Sequence, residues 1–232
     1  MSAKTGTSPH CFILRQGCSP IMAEPVDAIL AFHNAFRKDM NGIDAAALGM
    51  ARGRTVIPAN VERFRFFNEV LVWHAQGEEE AVFPAIEEVA PLVPEPYLRD
   101  HRGLDMAFDA LDDVYGARDR LKTARATAAF RFHLDMHLGK EDAHLYRIFR
   151  QRIPKPEQGR VVGIMAGKIP RDRYPEVVAW LFPLIGIDDR ENMVRIWQTM
   201  LPPPAFAGVK EIARKSVAAE QWAEVQQRVP GL

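Results

Sequence analysis

The chain is 232 residues long, 47% hydrophobic and 26% charged, with 30 lysines and arginines set against 30 aspartates and glutamates. That length and apolar content can build a substantial core, and a net charge of zero leaves no basic footprint for nucleic acid or for an anionic membrane surface. The longest apolar run, "VVAWLFPLIGI", is too short to span a bilayer and contains a proline, so no membrane partner and a cytoplasmic location are expected.

Residues 1–23 read as a flexible tail, and their one apolar patch, "CFIL", is too brief for the core of a secretion signal, which supports the cytoplasmic expectation. The two cysteines, Cys11 and Cys18, are too few for a disulfide framework and match no zinc spacing. A first helix is predicted over 24–51, with Pro25 in its first turn, where the missing N–H is harmless, and Ile29, Phe32, Phe36 and Met40 at helical spacing. A second starts near Pro58, carries Phe64, Phe67 and Leu71, and is stopped by the proline-rich "PLVPEP". The third spans 95–118 and the fourth 123–150, ending before "IPKP". Four helices with short connections predict an all-α, up-down-up-down four-helix bundle over residues 24–152. Beyond it, "EQGRVVGIMAGKI", "YPEVVAWLFPLI", "RENMVRIWQTML" and "VKEIARKSVAAEQWAEVQQRV" read as short amphipathic helices. These predict a helical C-terminal subdomain, 153–232, packed on the bundle, with Trp180, Trp197 and Trp222 as core anchors.

Histidines and glutamates recur at one spacing. His74 and Glu78 on the second helix are repeated by His137 and Glu141 on the fourth, and aligning "HAQGEEEAVF" with "HLGKEDAHLY" also sets Glu79 over Asp142 and Phe83 over Tyr146. The first and third helices add one histidine each, His33 and His101. Residues four apart lie one above the other on a helix, so each His–Glu pair can grip neighbouring ions from one face. The four histidines stand roughly 9, 12, 6 to 9 and 13 residues from helix ends that share one end of an antiparallel bundle; at about 1.5 Å per residue they fall within a few turns of one level. A lone histidine on an apolar face is usually a hydrogen-bonded core residue, and "EEE" is usually a solvated face. Two matched copies, each with a further histidine, point instead to a buried metal site, because buried carboxylates need a metal or a charged partner. Four imidazoles and two carboxylates suit a pair of first-row transition ions, with iron favoured and manganese or zinc left open.

The pattern H, H-x-x-x-E, H, H-x-x-x-E on four helices resembles the hemerythrin-like (HHE cation-binding) domain family, with "HAQGEEEAVFPAIEE" and "HLGKEDAHLY" similar to its second- and fourth-helix signatures over roughly residues 24 to 152. The resemblance implies two iron ions, oxo- and carboxylate-bridged, held by His33, His74, Glu78, His101, His137 and Glu141. Glu78 and Glu141 would bridge, one iron taking His33 and His74 and the other His101 and His137. It also implies a small-molecule ligand: dioxygen, peroxide or nitric oxide.

Two positions depart from the oxygen-carrying members of the family, which have a fifth histidine four residues after the third-helix histidine and an H-x-x-x-x-D on the fourth helix. Here the residue four after His101 is Asp105, and the fourth-helix motif ends in Glu141 as the shorter H-x-x-x-E, a spacing that Asp142, though acidic, fits less well. One iron is therefore expected to lack a histidine and keep an open position. His133, one turn before His137, is a candidate extra ligand, with a hydrogen-bonding or shielding role beside a bridging carboxylate preferred; Asp105 is a further candidate. His144 reads as structural. Gly77 and Gly139 each cost a helix about 1 kcal/mol and are expected to make room at the centre. Phe32, Phe36, Phe67 and Trp73 should wall off solvent, and Tyr146 is expected to pack in the core rather than donate protons.

The expected activity is consumption of hydrogen peroxide or nitric oxide in stress defence, with iron cycling between ferrous and ferric states. The alternative is a non-catalytic iron or oxygen sensor, or an oxygen carrier, that signals to a protein partner through the C-terminal helices, although that segment lacks a basic face or an output motif.

Overall fold

A computed structural model describes residues 23–54 and 57–232, and every regular element among them is a helix. The expectations for Cys11, Cys18 and the tail through residue 22 lie outside the described residues. Helix α1 (Pro25–Ala51) opens with Pro25 in its first turn, while the Glu24 N–H donates to Asp27 Oδ2 at 2.8 Å, satisfying a donor that the helix start leaves over. Helix α2 covers 57–89 and contains one wide turn: α-helical Ile57–Gly77, a π turn Glu78–Val82, then α-helical Phe83–Val89. Pro91 and Pro94 separate it from α3 (Glu95–Gly116), and Leu92 takes a left-handed φ of 68° in that turn.

Helix α4 covers 120–152 and repeats the design of α2, with Arg120–Lys140, a π turn Glu141–Leu145, and Tyr146–Arg152. Its start is set by Asp119, whose carboxylate accepts from the Lys122 N–H at 3.0 Å. The helix therefore begins three residues before the expected Thr123.

The four long helices form a ring, with α1 between α2 and α4 and with α3 packed against α4; α2 and α3 approach each other most loosely. Five shorter helices follow: α5 (Lys155–Ala166), α6 (Tyr174–Leu184), α7 (Ile187–Met200), α8 (Pro203–Ser216) and α9 (Ala219–Arg228). Among the described residues no helix is long and apolar enough to cross a membrane.

The apolar interior falls into two clusters. One fills the bundle with Phe36, Met40, Phe64, Phe67, Leu111, Phe130 and Leu134. The other joins the opposite end of the bundle, through Ile29, Val82, Phe83, Ile86 and Phe149, to Val161, Leu181, Phe182, Trp197 and Trp222 of the C-terminal helices. Trp197 and Trp222 are core anchors, as expected, whereas Trp180 is only partly buried and packs on Phe32 and Phe36 of the bundle. Between the two clusters lies a polar layer that no apolar side chain fills.

Candidate metal centre

That layer consists of His33, His74, Glu78, His101, His137 and Glu141, all buried, the two glutamates completely. The i, i+4 geometry acts as the spacing predicts. His74 Nε2 is 3.2 Å from Glu78 Oε1, and His137 Nε2 is 3.4 Å from Glu141 Oε1. Each carboxylate also spans the gap between the two histidine pairs. Glu78 turns its other oxygen to His101 Nε2 at 3.4 Å, and Glu141 turns its other oxygen to His33 Nε2 at 3.6 Å. Two donor groups result, each with ligand atoms within 4.8 Å of one another: His33, His74 and Glu78 in one, and Glu78, His101, His137 and Glu141 in the other.

The π turns begin at the two glutamates. The Phe83 N–H bonds to the Glu78 carbonyl and the Tyr146 N–H to the Glu141 carbonyl, five residues back in each case. Such a turn admits one extra residue and swings the following side chains round the axis. Two consecutive acids are thereby put to use: Glu78 points into the layer while Glu79 accepts from His101 Nδ1 at 2.7 Å. On α4, Glu141 points inward while Asp142 meets His33 Nδ1 at 2.7 Å and is itself held by Arg37 at 2.6 Å. The first residue after each turn closes the same histidine, Phe83 stacking on His101 at 5.3 Å and Tyr146 standing edge-on to His33 at 5.4 Å.

Two features break this symmetry. Tyr146, buried in the core as expected, also donates its hydroxyl to Glu78, which the equivalent Phe83 cannot do for Glu141. Asp100, which is paired with Lys140, stands 3.5 Å from His137 Nδ1, whereas Phe32, the residue before His33, lies over His74 at 5.9 Å. Fixing the outer nitrogen of an imidazole to a carboxylate sets its orientation and leaves Nε2 free for a cation.

Charge follows the same asymmetry. Burial pushes both carboxyls upward, but at Glu78 the imidazoles of His74, His101 and His33 outweigh it and hold the group well below the usual range. At Glu141, burial is reinforced by Glu78, Asp142 and Asp100, and the carboxyl is raised well above it. Burial also lowers His74, against Glu78, and brings His137 down to about 4. At His33 and His101 burial is overcome by Asp142 with Glu78 and by Glu78 with Glu79, so both rise.

The donor set fits a pair of cations. Glu78 Oε2, His101 Nε2 and both oxygens of Glu141 are buried without a hydrogen-bond partner, a costly state for a folded protein that cations between the two donor groups would relieve. A cavity of about 210 Å³ opens onto His101 and His137 where α2 and α3 part, with Glu79 and Asp105 in its wall.

Other candidates fall elsewhere. His133 is exposed beside Phe132 and, among the described residues, pairs with none of the six; Asp105 is exposed at the cavity wall rather than within the donor groups. His144 is exposed. The expected role of the glycines is corrected. A Cβ on Gly77 would lie 2.9 Å from the Met165 backbone, so this glycine admits α5, while a Cβ on Gly139 would meet nothing within 4 Å. Sequence reasoning missed Asp100 and the partner roles of Glu79 and Asp142, for which the aligned Glu79/Asp142 pair was the available signal.

Among curated proteins the chain is similar to the zinc finger protein BRUTUS of Arabidopsis thaliana, 24% identical over 185 residues that make up 77% of this chain and 15% of that protein. Two BRUTUS-like zinc finger proteins of the same plant are 22% and 21% identical, over 75% of this chain and 16% of each. The chain thus spans a small fraction of the length of these relatives. No solved structure matches significantly. Residues 24–119, which carry α1 to α3, match the family described as the Hemerythrin HHE cation binding domain, and α4 with its second His–Glu pair follows directly on the matched segment. The segment that supplies His33, His74, Glu78 and His101 is therefore a hemerythrin HHE cation-binding domain.

Proposed function

We propose that the six side chains hold two iron ions and that the protein binds dioxygen, peroxide or nitric oxide there, consuming hydrogen peroxide or nitric oxide in stress defence. The observation that carries this reading is the pair of carboxylates that each face both histidine pairs. When bound, the ions would supply redox chemistry and a vacant position for a small ligand, since each would draw on two histidines and a share of the two carboxylates. The chain's own residues do the rest. Asp142 and Glu79 orient imidazoles, Tyr146 holds Glu78, and Phe36, in edge contact with His74 at 5.3 Å, shields that side. The cavity between α2 and α3 gives a polar ligand a path to the His101 and His137 side.

Metal content per chain and the visible spectrum, compared between the protein and a Glu78→Ala, Glu141→Ala double variant, test the site. Near two irons, lost in the variant, is the expected result and leads to turnover assays with peroxide and nitric oxide. Zinc, or metal content unchanged by the variant, sinks the reading. A second reading, a sensor signalling through the C-terminal helices, is favoured by one contact: Gly77, the residue before Glu78, packs directly on Met165 of α5. It predicts metal-dependent protection of residues 153–232 from proteolysis, without turnover.

A further inference from the structure

A second cavity, of about 110 Å³, lies between the bundle and the C-terminal helices. Its lining is almost wholly apolar; Phe32, Trp73, Met165, Met193 and Trp197 contribute to it, and His74 stands in the walls of both this cavity and the one between α2 and α3. On this side His74 has no carboxylate: His33, His101 and His137 each present Nδ1 to an acid, whereas His74 is covered by Phe32. The space is partly open, and its lining gives water few polar partners, so an apolar solute displaces that water at little cost, as benzene or xenon occupies apolar cavities of similar size. Hydrogen peroxide would lose its hydrogen bonds to water there without replacement. A neutral diatomic gas loses almost none.

We propose that this cavity is a binding site for a neutral diatomic ligand, dioxygen or nitric oxide, held in apolar surroundings against His74 of the centre. The proposal rests on the functional reading above and narrows it: the apolar route through the C-terminal helices selects gases, and the polar route between α2 and α3 serves peroxide. It also gives α5 and α7 a role, since the cavity has no wall on that side without them.

Xenon is the probe, because it reports the cavity whether or not metal is present. Crystals of the full chain pressurised with xenon, and xenon-129 NMR titrations in solution, should show one site bounded by Met165, Trp197 and His74. Ala28→Leu and Ile196→Phe, two independent fillings of the lining, should weaken xenon binding about tenfold or more. In the iron-loaded protein they should slow the reaction with dioxygen and nitric oxide several-fold and leave that with peroxide unchanged. Absence of xenon from the wild-type cavity overturns the proposal, as does loss of the xenon site with no change in either gas reaction. Xenon bound normally in a protein that takes up no metal supports the cavity and overturns the functional reading instead.

Discussion

Glu141 is the residue whose chemistry is most exposed to test. Burial and the neighbouring Glu78 raise its carboxyl well above the ordinary range, so in metal-free protein it keeps its proton to a higher pH than a surface glutamate does. A cation needs the carboxylate, so uptake must expel that proton and must weaken as pH falls. Calorimetric titration in buffers of different ionisation enthalpy should register proton release; uptake indifferent to buffer and pH would count against Glu141 as a ligand. Tyr146 offers a second test. Tyr146→Phe removes the one hydroxyl donated to completely buried Glu78, and leaving that oxygen with His74 as its nearest polar neighbour should cost about 1–3 kcal/mol in metal-free protein. With metal bound the cation satisfies the carboxylate and the loss should shrink. Urea unfolding with and without metal decides it, and equal losses in both forms would show that Tyr146 acts only through packing.

At the scale of the element, α2 and α4 show how one local device serves two helices. Each has a π turn that starts at the inward glutamate, and in each the acid that follows reaches a histidine on a neighbouring helix. Pro84, whose ring cannot accept an ordinary helical register against Glu80, accompanies the first turn, but the second has no proline, so proline is not the common cause. The glycines inside the two motifs separate just as clearly. Gly77→Ala forces a Cβ to 2.9 Å from the Met165 backbone and should destabilise the protein by about 1–3 kcal/mol, as overpacking does. Gly139→Ala meets open space on an exposed helix surface and should stabilise it by up to about 1 kcal/mol. Thermal melts of the two variants that shift in the same direction would refute this assignment.

For the whole molecule, the question is whether the bundle stands alone. The apolar cluster above the metal layer is built jointly by α1, α2, α4 and the C-terminal helices, and Trp180 of α6 donates to buried Asp39 of α1 at 2.7 Å. The division into a bundle, 24–152, and a subdomain, 153–232, is thus proposed as one of chain order rather than of independent folding. A chain ending at Arg152 should expose enough apolar surface to bind a hydrophobic dye and should lose on the order of several kcal/mol of stability, at roughly 25 cal/mol per Å² of uncovered area. An unchanged melting temperature would show two independently folding units.

The helical pattern and the six buried side chains were legible in the sequence because both depend on local periodicity: 3.6 residues per turn fixes which faces are apolar and which His–Glu pairs align. Matched distances from the helix ends then place His33, His74, His101 and His137 at one level without any knowledge of packing. What only the tertiary structure decided is rotation and contact between helices. It turns His133 outward, pairs Asp100 with Lys140 beside His137, gives Gly77 its reason in α5, and opens cavities where α2 parts from α3 and where α5 and α7 lean on α1. None of these follows from periodicity, since a π turn rotates a helix locally and the space beside a helix is set by neighbours distant in the chain.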